Sequence, residues 1–180
     1  RENAEAMVMF LGEQLGQVDR PGLAADPGER VDLALRRAEQ LFHDVPQVLV
    51  PLQVRIQGMN LSLGRMETAD RLAEALDATA GRSPDPLVRA QVLCGPHRED
   101  ISDADAVARI ERGLALLGSD AASRAVRSNC LYHRSRHMKS LGRFDDALRD
   151  LDAAQEIDSP LLRRTASLGY LRARATLLNE

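Results

Sequence analysis

Leu141-Gly142-Arg143-Phe144-Asp145-Asp146-Ala147-Leu148-Arg149-Asp150-Leu151-Asp152-Ala153-Ala154 is the stretch that decides the fold of this chain. A turn glycine is followed by an aromatic residue, two acids, a small residue and then an apolar stripe at helical spacing. The two acids fall in the first turn of the coming helix, where the helix dipole favours negative charge. The phrase recurs as Leu63-Gly64-Arg65-Met66-Glu67-Thr68-Ala69, and Gly64 and Gly142 stand 78 residues apart, two periods of 39. A recurring turn and helix predicts stacked helical hairpins rather than a sheet.

Composition agrees. Hydrophobic residues make up 44% of the chain and charged residues 28%, the balance of a folded chain rather than a disordered one. Aromatic residues are only 3%, so the core has to be built from Leu, Ala and Val, which suits close-packed helices. The net charge is −3, and general nucleic-acid affinity needs a basic footprint, so no nucleic-acid partner is expected. No apolar run approaches the roughly 20 residues of a membrane span, and no signal peptide is visible. The expected location is the cytoplasm, with no membrane partner. Lys139 is the only lysine beside abundant Arg, Ala and Leu, a composition typical of GC-rich bacterial genomes. The chain begins at Arg1 without Met and stops within the apolar pattern Leu168, Leu171, Ala175, Leu178, so it is expected to be a piece of a longer protein.

Helix signals run the length of the sequence. Residues 2 to 15 carry Ala6, Met9 and Phe10 at helical spacing. Asp26-Pro27-Gly28-Glu29 is a helix start, and the following helix runs to about Phe42. Pro46 opens the next hairpin, whose first helix carries a stripe of Val50, Val54, Gly58 and Leu61. The turn at Gly64 leads to Ala69, Leu72, Leu76 and Ala80, and Ser83-Pro84-Asp85-Pro86 ends that helix and caps the next. A short helix from Leu87 to Cys94 is broken by Gly95-Pro96, and Ser102, with Asp105 three residues on, starts another. The fourth hairpin spans about 122 to 158, and Ser159-Pro160 opens a final helix. Ala34, Ala69, Ala106 and Ala147 hold similar places in the second helices, at spacings of 35, 37 and 41.

Residues 129–160 resemble the tetratricopeptide (TPR) motif, with Leu131, Met138, Gly142, Phe144, Ala147, Leu151, Ala154 and Pro160 near the family's apolar, small and proline places. Residues 50–84 match less closely, and the rest by helical pattern. Two positions depart from the pattern. Arg134 stands where the family has a large apolar residue, and Ser135 where a small residue sits at the helix crossing. The resemblance implies an all-α fold over residues 1–180, a single α-solenoid domain of about four antiparallel hairpins plus a final helix. It also implies a concave face lined by first helices that binds peptides or partner proteins. On that face it places Arg55 and Met59, then Asn129, Tyr132, Arg136 and Lys139, and on the last helix Arg163, Tyr170 and Arg174. Arginine and tyrosine are favoured binding anchors, and guanidinium pairs well with carboxylates. The expected partner is a protein or peptide with an acidic extended segment, and a homodimer is a further arrangement the class allows. The carboxylate clamp of chaperone-binding TPR domains is not reproduced.

The residues of chemistry are sparse. Cys130, His133 and His137 lie at i, i+3 and i+7 on one side of a helix, a spacing that can gather metal ligands, but a closed site needs a fourth. His97 reaches them only if the fold brings it there. Histidines on a polar helix face are the simpler reading, and no metal or cofactor is expected. Cys94 and Cys130 allow one bridge, with packed thiols the simpler reading. Asp100, Asp103 and Asp105 lack the glycine and distal Glu of a calcium loop. Gly12, Gly16 and Gly22 lack the lysine of a phosphate loop, and no nucleophile elbow appears. The expected function is therefore a non-catalytic, TPR-like interaction or sensing domain of a larger bacterial signalling protein. The alternative is a ligand-responsive regulatory domain controlling an attached output, such as a GGDEF diguanylate cyclase, a kinase or a DNA-binding transcription regulator.

Overall fold

Carboxylates and prolines set the helix starts. Asp26 accepts from the Gly28 amide at 3.3 Å and Asp85 from that of Leu87 at 2.8 Å. Ser102 accepts from the Asp105 amide at 3.2 Å and Asp120 from that of Ser123 at 2.9 Å. Each side chain satisfies an amide that has no partner inside its own helix. Pro27, Pro46 and Pro86 occupy first-turn positions, where a missing N–H costs nothing. The computed structural model describes residues 26–98 and 100–157. The described residues are all-helical, with seven helices and no strand: α1 (Pro27–Phe42), α2 (Pro46–Ser62), α3 (Met66–Arg82), α4 (Pro86–Leu93), α5 (Asp103–Ala115), α6 (Ala121–Ser140) and α7 (Phe144–Ile157). The helices expected over residues 2–15 and after Pro160 lie outside the described residues.

The packing divides into two compact units, Arg1–Ser83 and Pro84–Glu180. In the first, α2 packs on both α1 and α3. Ala38, Val48 and Leu52 form a core cluster there. The expected stripe of α2 is corrected by this arrangement: Val54, Gly58 and Leu61 are half-buried, while Leu52, Ile56, Gln57 and Asn60 are buried. A helix covered by two neighbours buries a broad sector that includes polar positions. Gln53 meets Glu39 of α1 at 3.3 Å, and the Asn60 amide donates to the Ile56 carbonyl at 3.0 Å. Arg65 closes the unit with two hydrogen bonds to Asp32 and a third to the Gly28 carbonyl. Its guanidinium holds the Asp32 carboxyl below the usual carboxylate range.

In the second unit α6 is central, packing on α4, α5 and α7. One apolar cluster joins Val107, Leu131, Met138, Ala147, Leu151 and Ala154, and another joins Ala90, Cys94, Ile110, Leu117, Val126 and Cys130. The four regularly spaced alanines, Ala34, Ala69, Ala106 and Ala147, are all buried.

The repeated phrase is also a repeated backbone. Gly64 has φ 71° and Gly142 φ 73°, in the left-handed region open to glycine. Around them the Arg65 amide donates to the Asn60 carbonyl at 2.9 Å, and the Arg143 amide to that of Met138 at 2.8 Å. Gly64 donates to Leu61 and Gly142 to Lys139 in the same way. The same helix-ending motif therefore closes both first helices.

Candidate functional site

Helix α6 carries five arginine and lysine residues and no acid. Two of the five serve the fold. Arg127 donates to the carbonyls of Leu117 and Gly118, at the end of α5. Arg134 donates to both carboxylate oxygens of Asp150, at 2.7 and 2.6 Å, with Glu111 at 3.7 Å. That pairing accounts for the first departure from the repeat pattern: the charge at the apolar place is matched by a buried acid on the facing helix. Asp150 raises the Arg134 guanidinium above its ordinary range. The second departure is accommodated locally, since buried Ser135 donates to the Tyr132 carbonyl at 2.7 Å.

Arg124 and Arg136 are exposed. Asn129 and Arg136 are exposed at i and i+7, flanked by half-buried Tyr132 and Lys139. These four expected residues share one side of α6. Tyr132 rests its ring on the α6–α7 core and meets the His133 ring edge-on, with centroids 5.6 Å apart. Burial, with Arg136 and His137 nearby, lowers His133 to about 4, so it is neutral near pH 7 and the charge of this side comes from Arg136 and Lys139. The side offers a guanidinium, an ammonium, an amide and an aromatic flank, which is chemistry for recognising carboxylates. Arg55 is exposed and Met59 half-buried on α2, in the other unit. Arg163, Tyr170 and Arg174 lie outside the described residues.

The other flank of α6 corrects two expectations. Cys94 and Cys130 are not packed thiols but a disulfide, fully buried, joining α4 to α6. His133 and His137 are not on an open polar face; both are half-buried beside that bridge. The connection after α4 brings His97 against His137, with ring centroids 5.2 Å apart and planes tilted by 38°. The Nδ1 of His137 is hydrogen-bonded to Asp103 of α5 at 2.7 Å. The Cys130, His133, His137 stripe is thus a seam that receives Cys94, His97 and Asp103. Among the described residues, no group of three or more His, Cys, Asp or Glu side chains is arranged to hold a metal ion. No described helix is long and apolar enough to cross a membrane.

A groove of about 450 Å³ lies between α5, α6 and α7, lined in part by Glu111, Arg134, Arg143, Asp146, Arg149 and Asp150. Its arginines are paired, Arg134 with Asp150 and both Arg143 and Arg149 with Asp146, so its charge is neutralised from within. Nothing in the spacing of these residues along the sequence signals the groove.

Comparison with protein-family models, with curated proteins and with solved structures finds no match to this chain.

Proposed function

We propose that this chain is a TPR-like α-solenoid of helical hairpins over residues 1–180, non-catalytic by itself. In this reading it binds an acidic, extended segment of a partner protein within a larger bacterial signalling protein. One observation carries the reading. Arg136 is exposed on a helix that contains no acid, it makes no ion pair with any described residue, and Asn129, Tyr132 and Lys139 lie on the same side. The two identical glycine turns, 78 residues apart, support the repeat architecture.

The test is calorimetry with a library of acidic peptides. Arg136→Glu is expected to weaken the best ligand about tenfold or more, the scale of a charged anchor lost from an interface. Arg112→Glu, on the exposed side of α5, is expected to leave affinity within about twofold, since isolated surface charges contribute little. Binding should fall with salt, as exposed charges are screened over about 8–10 Å near physiological ionic strength. Equal affinity of both variants would remove α6 from the binding surface.

A further inference from the structure

We infer that a second copy of this chain lays the outer side of its α7 on the basic side of α6, so that molecules join head to tail through these two helices. The inference rests on the reading of α6 as a surface for acidic groups and names one occupant for it.

Two stripes carry the argument. On α7 the exposed residues Asp145, Arg149, Asp152 and Glu156 recur at intervals of one helical turn, opposite the buried Ala147, Asp150, Leu151 and Ala154. Three of the four are acids, and Arg149 is turned to Asp146 of its own helix. On α6, Asn129, Tyr132, Arg136 and Lys139 recur in the same way, and the helix holds no acid. At 1.5 Å per residue the α7 stripe is about 17 Å long and the α6 stripe about 15 Å, so one can lie along the other. Arg136 and Lys139 are one turn apart, as are Asp152 and Glu156, which sets two cations against two carboxylates at matching spacing. Toward its start the α6 side continues as exposed Ala122 and Ala125, whose short side chains let a neighbouring helix approach closely.

The two stripes cannot meet within one chain. Leu131, Arg134 and Met138 of α6 face α7, through the shared apolar cluster and the pair with Asp150. The residues that answer them are the buried ones of α7, so its acidic stripe points away from α6. That stripe and the basic side of α6 can therefore match only between molecules. Each molecule turns a different side to each neighbour, so the contact is heterologous, and one α6 side and one α7 stripe remain open at the ends of an assembly. Exposed ion pairs are individually weak and are screened by salt, so the association is of low affinity and salt-sensitive. An acidic peptide on α6 takes the place of the second molecule, which links partner binding to disassembly.

Sedimentation equilibrium of the oxidised 180-residue chain tests the contact. The average mass is expected to rise above the 19.8 kDa of one chain as concentration approaches about 0.5 mM at low salt, and to return to that value at about 0.5 M salt. Arg136→Glu should weaken self-association about tenfold or more, and Asp152→Asn combined with Glu156→Gln should do the same. An equal mixture of these two variants should form one-to-one pairs and nothing larger, since one supplies an intact α7 stripe and the other an intact α6 side. A short oligoglutamate peptide should dissociate the parent assembly beyond the effect of chloride at the same ionic strength. In dilute solution it should bind the Asp152→Asn/Glu156→Gln variant within about twofold of the parent. The inference is overturned if the parent stays a single chain at about 0.5 mM, if Arg136→Glu associates like the parent, or if the mixed variants stay apart or grow beyond pairs. If the parent stays single while oligoglutamate binds and Arg136→Glu removes that binding, the self-contact alone fails; if neither occurs, the reading of α6 fails with it.

Discussion

Arg134 and Asp150 meet across the α6–α7 packing through two parallel hydrogen bonds, with the Asp150 side chain 9% exposed and that of Arg134 22% exposed. Such a fork is directional, and it fixes the register of α7 on α6 at the point where the repeat pattern has lost an apolar contact. Asp150→Ala strands the guanidinium with only the more distant Glu111. It is expected to cost about 3 kcal/mol, near the lower end for breaking a buried pair. Arg134→Met combined with Asp150→Leu should recover most of that loss. Chemical denaturation checks both, and a double variant no more stable than Asp150→Ala would show that shape, not charge matching, governs the contact.

Gly113 supplies a second contrast. A Cβ there would lie 2.7 Å from the Cys94 sulfur and 3.1 Å from the Leu93 Cβ, because α5 crosses close over the bridge. Gly113→Ala should cost about 1–3 kcal/mol through overpacking. At Gly81 nothing lies within 4 Å of an added Cβ, and the residue is helical and exposed. Gly81→Ala should be neutral or stabilising by up to about 1 kcal/mol, the cost of a helical glycine relative to alanine. Thermal melts of the two variants moving in the same direction would contradict the crossing.

The bridge is open to direct measurement. Intact mass without reductant should be lighter by two hydrogen atoms than after reduction, and no thiol should react with an alkylating agent in the folded oxidised chain. With its cysteines 36 positions apart in the sequence, the bridge restricts the unfolded chain by about 3–4 kcal/mol in the loop-entropy account. Cys94→Ser with Cys130→Ser is expected to lower stability by a similar amount. Disulfides persist mainly in oxidising compartments, so the redox state of the chain in its native host bears directly on the expected cytoplasmic location.

Acid should weaken the second unit. His133 is held neutral, at about 4 in the folded chain against an ordinary value of about 6.5 unfolded. The unfolded chain therefore binds more protons between these values. The stability this histidine contributes is complete above about pH 6.5 and declines as pH falls toward 4. The loss by pH 5 is on the order of 1–2 kcal/mol. Denaturation midpoints at pH 7 and pH 5 for the parent chain and for His133→Leu check it; an equal decline in both would remove His133 as the cause.

The fold was legible where a residue acts alone on its own backbone. Gly64 and Gly142 announce their turns because a left-handed φ leaves little alternative, and Asp26, Asp85 and Ser102 announce their helices because a cap needs only its own next turn. The central helices were less legible. Buried by neighbours on more than one side, α2 and α6 carry no single apolar stripe, so the stripe expected on α2 leaves out Gln57 and Asn60, which are core. Pairings across helices were not legible at all. Arg134 reads as a misfit until Asp150 faces it, Cys94 and Cys130 read as two thiols until α4 crosses α6, and His97 has no signal of its role because only the path of the connection sets it beside His137. On the candidate site, the family resemblance implied a shared face for Asn129, Tyr132, Arg136 and Lys139, and α6 sets these four on one side because one helix needs no tertiary information to align its own residues.

The span between Cys94 and Cys130 holds the whole of α5 and both connections flanking it. Its second connection, Gly118-Ser119-Asp120, is exposed throughout. A protease cutting there leaves two fragments tethered by sulfur, so a nicked molecule migrates as an intact one until reductant is added. For this chain, an unbroken band on a gel without reductant reports a continuous covalent graph rather than a continuous backbone.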